Sequence, residues 1–360
     1  MPDLAITYQK KTDIEHILDA PDTYIGAVEA DTTRRFSFEG DATHLTWRET
    51  NWIPGLYKCF DEAIVNCGDH VIRMSEKIRK GEPKCLPVKQ ISIEVDKKSG
   101  VITMTNDGNG IDVAKHPEYD LWIPEMVLAH LRTSTNYNKE EKKIVGGKNG
   151  FGFKLVLIYS LWGRIETIDH TRKLKYTQEF KDNLSYIGPP TLSKAPKTKP
   201  YTKISFLPDY KRFGISNLTD DMFNLFRKRV YDIAAITARS VKVKFNNANI
   251  SVKGFEDYID LYIGSKSQTK RIYERAGPRW EYAVSLTPLD EFTQISFVNG
   301  ICTNKGGKHV EYILNQITRK LVAYIEKKKK IRAVSYTHLR AHETDSSLLC
   351  RGLHEKKKRG

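Results

Sequence analysis

Glu62 and Asn66 stand four residues apart in Asp61-Glu62-Ala63-Ile64-Val65-Asn66, inside a stretch with the apolar rhythm of a helix. Side chains at that spacing stack on one helix face. A carboxylate and a carboxamide one turn apart, beside an apolar seam, can serve as a general base and an oxygen ligand for Mg²⁺. The same pair also fits an ordinary solvated helix face, and only its neighbours decide. A second candidate is the run Gly146-Gly147-Lys148-Asn149-Gly150-Phe151-Gly152, which leads straight into Phe153-Lys154-Leu155-Val156-Leu157-Ile158-Tyr159. Uncovered backbone N–H groups opening on a helix N-terminus, with a lysine beside them, suit a polyanion such as phosphate. Glycines alone equally form a tight turn. In the third candidate, Asn106-Asp107-Gly108-Asn109-Gly110-Ile111, the glycines let the backbone approach a flat ligand. The Asp107 carboxylate can then accept from an exocyclic amine such as adenine N6. The competing reading is a plain Asn-Asp-Gly turn.

The elements that must carry these groups follow from periodicity. Leu56, Phe60, Ala63, Cys67, Val71 and Met74 recur at spacings of three and four and predict a helix over Pro54 to Met74. Glu62, Asn66, Asp69 and Arg73 form a polar stripe beside that apolar one. Upstream, Asp13 to Leu18 is a short amphipathic helix, and Pro21 to Gly26 turns the chain. Gln90 to Val95 and Val101 to Thr105 alternate as strands joined by the hairpin turn Lys97 to Gly100, and the second runs into Asn106. A helix, Ile123 to Leu131, leads to Thr133-Ser134-Thr135-Asn136-Tyr137-Asn138 and a charged segment, Lys139 to Lys143. Small hydroxyl residues before a polar, glycine-ended stretch read as a lid with hydrogen-bonding groups at one hinge. Strands follow at Gly163 to Asp169, Leu174 to Phe180 and Tyr201 to Phe206, with Pro189 to Pro200 as an exposed basic loop. The composition changes near Ser216 to Thr219. A helix from Asp221 to Ala238 then opens a second unit, with strands at Val241 to Phe245, Trp280 to Leu286 and Thr293 to Val298. Its segment Asn304-Lys305-Gly306-Gly307-Lys308-His309, ahead of a helix from Val310 to Lys327, fits an anion site or a tight crossover.

A chain of 360 residues is long enough for two domains. Fifty-nine Lys+Arg against 44 Asp+Glu leave a net charge of +15, which favours a polyanionic partner such as nucleic acid. Part of that excess lies in runs, Lys327 to Lys330 and Lys356 to Arg359, that are equally at home in solvent. Five cysteines without CxxC spacing argue against a disulfide framework or a zinc site and for a reducing compartment. No apolar run reaches the ~18 residues of a membrane span. Met1-Pro2-Asp3-Leu4 lacks a signal pattern. A soluble intracellular protein without membrane partners is expected.

Taken in order, Glu-x-x-x-Asn on a helix, an Asp-glycine turn read as Asp-x-Gly-x-Gly after a strand, and a glycine-ended lid resemble the GHKL ATPases. That superfamily is shared by gyrase, heat-shock chaperones, histidine kinases and MutL. Neither Walker Gly-Lys-Ser/Thr nor Gly-x-Gly-x-x-Gly is present. A narrower set resembles the ATPase region of type IIA DNA topoisomerases, in its eukaryotic and large-DNA-virus form, over about residues 12–333. It comprises Glu15-His16-Ile17-Leu18 with Pro21 to Gly26, Asp61 to Asn66, Thr133 to Tyr137, Gly146 to Lys154, Val298-Asn299-Gly300 and Lys305 to Val310. The resemblance implies an α+β fold, a GHKL (Bergerat) ATPase α/β sandwich followed by a transducer domain of ribosomal-protein-S5-like α/β fold. The implied domains are an ATPase domain with an N-terminal strap over 1–218 and an incomplete transducer over 219–334. Residues 335–360 are a non-family tail, expected to be foreign or disordered.

The resemblance also implies roles, position by position. Glu62 would polarise the water that attacks the γ-phosphate of ATP, and Asn66 would ligate Mg²⁺. Asn106 matches a nucleotide-binding asparagine, and Asp107 is placed where the wider family contacts adenine. Ser134, Thr135 and Asn136 would meet ribose and phosphates. Gly147, Lys148, Asn149, Gly150, Phe151, Gly152, Phe153 and Lys154 would wrap the triphosphate, with Lys148, Asn149 and Lys154 as its side-chain contacts. Such a cradle stabilises charge on a transferring phosphoryl group. The sequence departs from the family at Lys148 (usually arginine), Phe153 (usually alanine) and His70 (usually asparagine). Gln268-Thr269-Lys270 precedes Lys305-Gly306-Gly307, whereas the family's switch Gln-Thr-Lys follows it, so weak hydrolysis is expected. The implied function is the ATP-operated gate of a type II topoisomerase, coupling dimerisation to passage of double-stranded DNA, without the DNA-cleaving domains. Its location would be nuclear in a eukaryote, or host cytoplasm or nucleus for a virus. The alternatives are another GHKL ATPase, MutL-like or chaperone-like, and a basic DNA-binding module without turnover.

Overall fold

The computed structural model describes residues 8, 10–131, 133, 152–277, 280–287, 289, 292–329 and 346–352. The chain divides into two units, Met1–Ser251 and Val252–Gly360. The first opens with α1 (Asp13–Asp19), whose start is a capping box. The Thr12 hydroxyl accepts the Glu15 N–H at 3.2 Å, and the Glu15 carboxylate accepts the Thr12 N–H at 2.8 Å. A single turn, α2 (Pro21–Tyr24), and a separate hairpin of β1 (Asp31–Ser37) and β2 (Thr46–Trp52) follow.

Helix α3 (Pro54–Arg79) is the axis of this unit. Every member of the predicted apolar stripe, Leu56 through Met74, is buried, packed with Ile91, Ile93, Ile102, Met104, Ile165 and Phe206 in one core. The helix outlasts the predicted end at Met74 because no breaker intervenes before Gly81, which turns at φ +73°.

The sheet has nine strands: β3 (Gln90–Val95), β4 (Ile102–Asp107), β5 (Ser160–Asp169), β6 (Leu174–Lys181), β7 (Tyr186–Ile187), β8 (Thr191–Lys194), β9 (Tyr201–Pro208), β10 (Lys242–Phe245) and β11 (Ala248–Asn249). Their order is β11-β10-β3-β4-β9-β5-β6-β7, with β8 beside β6. All pairs are antiparallel except β10 with β3. Alternation sorts the two faces: Ile102 and Met104 of β4 are buried, while Thr103 is half-buried and its hydroxyl meets that of Ser205 at 2.8 Å. Helices α4 (Ile123–Ala129), α5 (Gly152–Ile158) and α6 (Asp220–Ile236) complete the unit.

Two expectations need correction here. Part of the presumed loop Pro189 to Pro200 is the edge strand β8, exposed at all four residues. The helix expected to open the second unit, α6, belongs to the first. Phe226 stacks on Phe60 at 4.1 Å and 5°, fully buried Arg229 pairs with Asp61, and β10 extends the sheet beyond β3. The composition change near Ser216 marks a loop, while the division of the chain falls after Ser251.

The second unit contains α7 (Phe255–Ile263), β12 (Arg271–Gly277), β13 (Trp280–Leu286), β14 (Thr293–Val298), β15 (Ile301–Cys302), α8 (Lys308–Lys329) and β16 (Ser346–Gly352). Val310 and Ile313 of α8 pack on Trp280, Tyr282 and Val284. The sheet order is β12-β13-β16-β14-β15. The tail, expected to be foreign or disordered, therefore contributes β16, parallel to β14 and antiparallel to β13. Without it both neighbours would present an open ladder edge, and an added strand satisfies those backbone groups. Among the described residues no helix is long and apolar enough to cross a membrane.

Candidate nucleotide site

Helix α3 carries Glu62 and Asn66 on its polar stripe, and Glu62 faces the start of α5. The Glu62 carboxylate forms an ion pair with Lys58, one turn earlier. Burial works against the Lys58 ammonium, but the Glu62 carboxylate outweighs it and holds Lys58 above the usual lysine range. Asn66 Nδ2 donates to the Glu62 carbonyl at 2.7 Å, which leaves the carboxamide oxygen as the end suited to a hard cation. Gly152, the first residue of α5, lies against this pair. A Cβ there would stand 2.2 Å from Glu62 Oε2, so any side chain at this position would displace the carboxylate.

Two residues further, Lys154 is 3 % exposed, and its ammonium donates to the Thr133 carbonyl at 2.6 Å. Burial pulls its pKa down to about 8. The Thr133 hydroxyl donates to the Met126 and His130 carbonyls at 2.6 and 2.7 Å, finishing α4. Lys154 thus ties the residue where the predicted lid begins to the helix where it ends. Phe153 is buried beside it. Ser134, Thr135, Asn136, Gly147, Lys148, Asn149, Gly150 and Phe151 lie outside the described residues.

On β4 the structure separates two neighbours that the sequence placed together. Asn106 is buried on the face shared with Ile102 and Met104. Asp107 points the other way, and its Oδ1 accepts the N–H groups of Lys89 and Gln90 at 2.7 and 2.8 Å. Asp107 therefore anchors the start of β3 through Oδ1. Counting back from Gly108 and Gly110, the first position of x-x-Gly-x-Gly is Asn106, not Asp107.

The glycines here have steric reasons. A Cβ at Gly108 would come 2.8 Å from Val88, and one at Gly110 would come 2.0 Å from the Ile168 carbonyl and 2.8 Å from Thr167 Oγ1. Thr167 is the residue that sequence reasoning missed. It is fully buried on β5, its hydroxyl accepts the Ile111 N–H at 2.9 Å, and it lies 3.1 Å from the Thr202 hydroxyl. The available signal was a hydroxyl two residues after Ile165, on the inward side of a strand.

His70, one turn beyond Asn66, faces the same turn: a Cβ at Gly108 would be 3.4 Å from its Nε2. That nitrogen is buried without a hydrogen-bond partner among the described residues. Burial, with Arg73 nearby, pushes the imidazole pKa down to about 4, so the ring is neutral. Among the described residues no group of three or more His, Cys, Asp or Glu side chains could hold a metal. One carboxamide oxygen fits Mg²⁺, which commonly keeps water and substrate phosphates as its remaining ligands.

The second glycine-lysine segment resolves toward the tight crossover. The Gly306 N–H donates to the Thr303 carbonyl at 2.8 Å, and the Gly307 carbonyl accepts from Val310 at 2.9 Å. The His309 ring packs over Gly307 and meets the Thr303 hydroxyl at 3.1 Å. Gln268 and Thr269 are used in the turn between α7 and β12, with the Thr269 hydroxyl on the Ile263 carbonyl at 2.5 Å.

Known proteins resemble this chain in sequence and fold. The DNA gyrase B family model matches residues 254–342. DNA topoisomerase 2 of Acanthamoeba polyphaga mimivirus is 43% identical over 330 residues, 90% of this chain, which spans 25% of that relative's length. The solved ATPase region of Saccharomyces cerevisiae topoisomerase II superposes with a TM-score of 0.85 at 34% identity, covering 98% of this chain and 87% of that one. A 43K ATPase domain of Thermus thermophilus gyrase B shares the fold alone, with a TM-score of 0.57 at 16% identity over 96% of this chain and 82% of that one. With 34% identity to such a solved region, 87% of which it covers, this chain belongs to the ATPase region of the type II DNA topoisomerases.

Proposed function

We propose that this chain binds ATP with Mg²⁺ and hydrolyses it. The observation that carries the reading is the close approach of Gly152 to the Glu62 carboxylate, with Asn66 one turn below. The first residue of α5 and a carboxylate base are thereby brought together, so that a side chain at Gly152 would displace the carboxylate. Glu62 accepts a proton from the attacking water, and the ion pair with Lys58 orients its carboxylate. Asn66 supplies an oxygen to Mg²⁺, which neutralises triphosphate charge when bound. Asn106 and Thr167 line the turn at Gly108 and Gly110 and serve the purine. Lys154, Gly152 and Phe153 form the described part of the phosphate cradle. Ser134, Thr135, Asn136 and Gly147 through Phe151, outside the described residues, are the further triphosphate contacts that the family resemblance implies.

In the longer protein, ATP-driven pairing of two copies gates passage of double-stranded DNA, in agreement with the net charge of +15. Its place of action is then wherever that DNA lies, the nucleus in a eukaryote or the host nucleus or cytoplasm for a virus. The segment near Tyr24, whose hydroxyl is 3.0 Å from His16 Nδ1, takes part in the pairing. Steady-state ATP hydrolysis by the wild type and Glu62→Ala tests the chemistry. A loss of about 100-fold or more is expected, the usual scale for a general base. Equal, clearly measurable rates would remove Glu62 from that role. Light scattering with a non-hydrolysable ATP analogue tests the pairing, and a species that stays monomeric overturns it.

A further inference from the structure

We propose that Arg229 is a positioning residue for Glu62, acting through Asp61; this rests on the reading of Glu62 as the base. Asp61 and Glu62 are consecutive on α3, so their side chains leave the helix about 100° apart. They have different neighbours. Glu62 faces Lys58 and Gly152. Asp61 faces α6, where Arg229 Nε donates to its Oδ1 at 2.6 Å. The Arg229 side chain is 0% exposed and that of Asp61 13%. Asp232 lies 3.9 Å from the same guanidinium and takes Lys228 on both oxygens, at 3.0 and 3.1 Å. Two carboxylates and two cations thus balance between the helices.

Another contact between these helices is the flat Phe60–Phe226 stack, 4.1 Å apart and nearly parallel. Stacked rings hold helices together but tolerate sliding, whereas a charge-assisted hydrogen bond is short and directional. The Asp61–Arg229 bond therefore adds a directional restraint, beyond the packing of the buried stripe, on the rotation of α3 about its own axis. A rotation of about 15° would carry a carboxylate roughly 6 Å from the axis through about 1.5 Å. Such a shift would change how the carboxylate sits beside Gly152, and misplacements of about 1 Å can cost on the order of 100-fold in rate.

The test compares the wild type, Arg229→Lys and the double variant Asp61→Leu/Arg229→Met. Replacing a buried ion pair by apolar groups of similar volume often leaves stability intact, so the double variant separates packing from alignment. We expect its thermal midpoint to stay near the wild type and KM for ATP to stay within about twofold, while kcat falls at least tenfold. Arg229→Lys keeps the charge but loses the planar fork, and should show the same split with a smaller fall. If the double variant does not fold, the lysine variant decides alone. A folded variant with wild-type kcat overturns the proposal, as does a fall in kcat that merely tracks the folded fraction. Wild-type protein without Glu62-dependent hydrolysis would instead count against the reading of Glu62, and the two failures are thereby told apart.

Discussion

Two stretches of this chain look alike on paper, and their described residues have different neighbours. Gly146 to Gly152 and Lys305 to His309 both place glycines and a lysine immediately before a helix. At the first, Gly152 is pressed against a carboxylate from another helix, and Lys154 is buried two residues on. At the second, the glycines serve their own turn, with backbone groups used by Thr303 and Val310 and a histidine ring folded over Gly307. Lys305 and Lys308 beside it are exposed. Local composition is therefore a weak guide to an anion site. What distinguishes the first turn is a chemically competent group delivered from a distant part of the sequence.

The comparison breaks most sharply at the two glycines. In Gly152→Ala the new methyl would start 2.2 Å from Glu62 Oε2, so the carboxylate must move. Hydrolysis should fall about 100-fold, close to the effect of losing the base. Gly307→Ala should leave the rate per folded molecule unchanged. If both alanines spared turnover, the first turn would be no more catalytic than the second.

The lysines sharpen the contrast. Lys154 has its folded pKa lowered to about 8 from an ordinary value near 10.5. Between those values the unfolded chain holds more protons than the folded one, so stability should rise as pH climbs from 8 to 10.5. Below pH 8 both states are protonated, and the folded state carries the full cost of the buried charge, on the order of 3 kcal/mol at most. Lys154→Met should raise the thermal midpoint at pH 7, flatten that pH window in urea titrations, and weaken ATP about tenfold. That is the signature of a side chain kept for a ligand at the expense of the fold. An unchanged pH profile, or a destabilised variant, would make Lys154 an ordinary core strut.

Much of this was legible in the sequence wherever one periodicity governs a whole element. The α3 stripe, the β3–β4 hairpin and the strands after α5 all stand where alternation or a 3.6 period predicted them, because each buries one face along its length. Three features were not legible, for different reasons. Asp107 and Asn106 are adjacent letters on opposite faces, and only the strand's direction decides which one turns inward. Thr167 is a lone hydroxyl in a strand and gains meaning from Gly110, 57 positions away in sequence, through the Ile111 N–H. Helix α6 looked like the start of a second unit because the residues that hold it, Phe60 and Asp61, sit on α3. Periodicity reports which face of an element is buried but not against what.

The smallest expected effects concern the second turn, and they test whether it is structural and nothing more. Gly307 has φ +147°, and a Cβ there would meet the His309 ring at 3.2 Å. Alanine adds both backbone strain and a crowded ring, so Gly307→Ala should destabilise the protein by about 1–2 kcal/mol. The ring can yield by giving up its bond to the Thr303 hydroxyl, which keeps the cost near the lower end. The lysines beside it belong to no such contact network in a tight crossover. Lys305→Ala/Lys308→Ala should therefore stay within about 0.5 kcal/mol of the wild type in urea unfolding, as exposed substitutions usually do. Its ATP hydrolysis should also be unchanged. Turnover that fell tenfold in this double variant while Gly307→Ala spared it would mean the exposed charges, not the turn, are the functional part. The second segment would then have to be counted with the first as a phosphate-handling site.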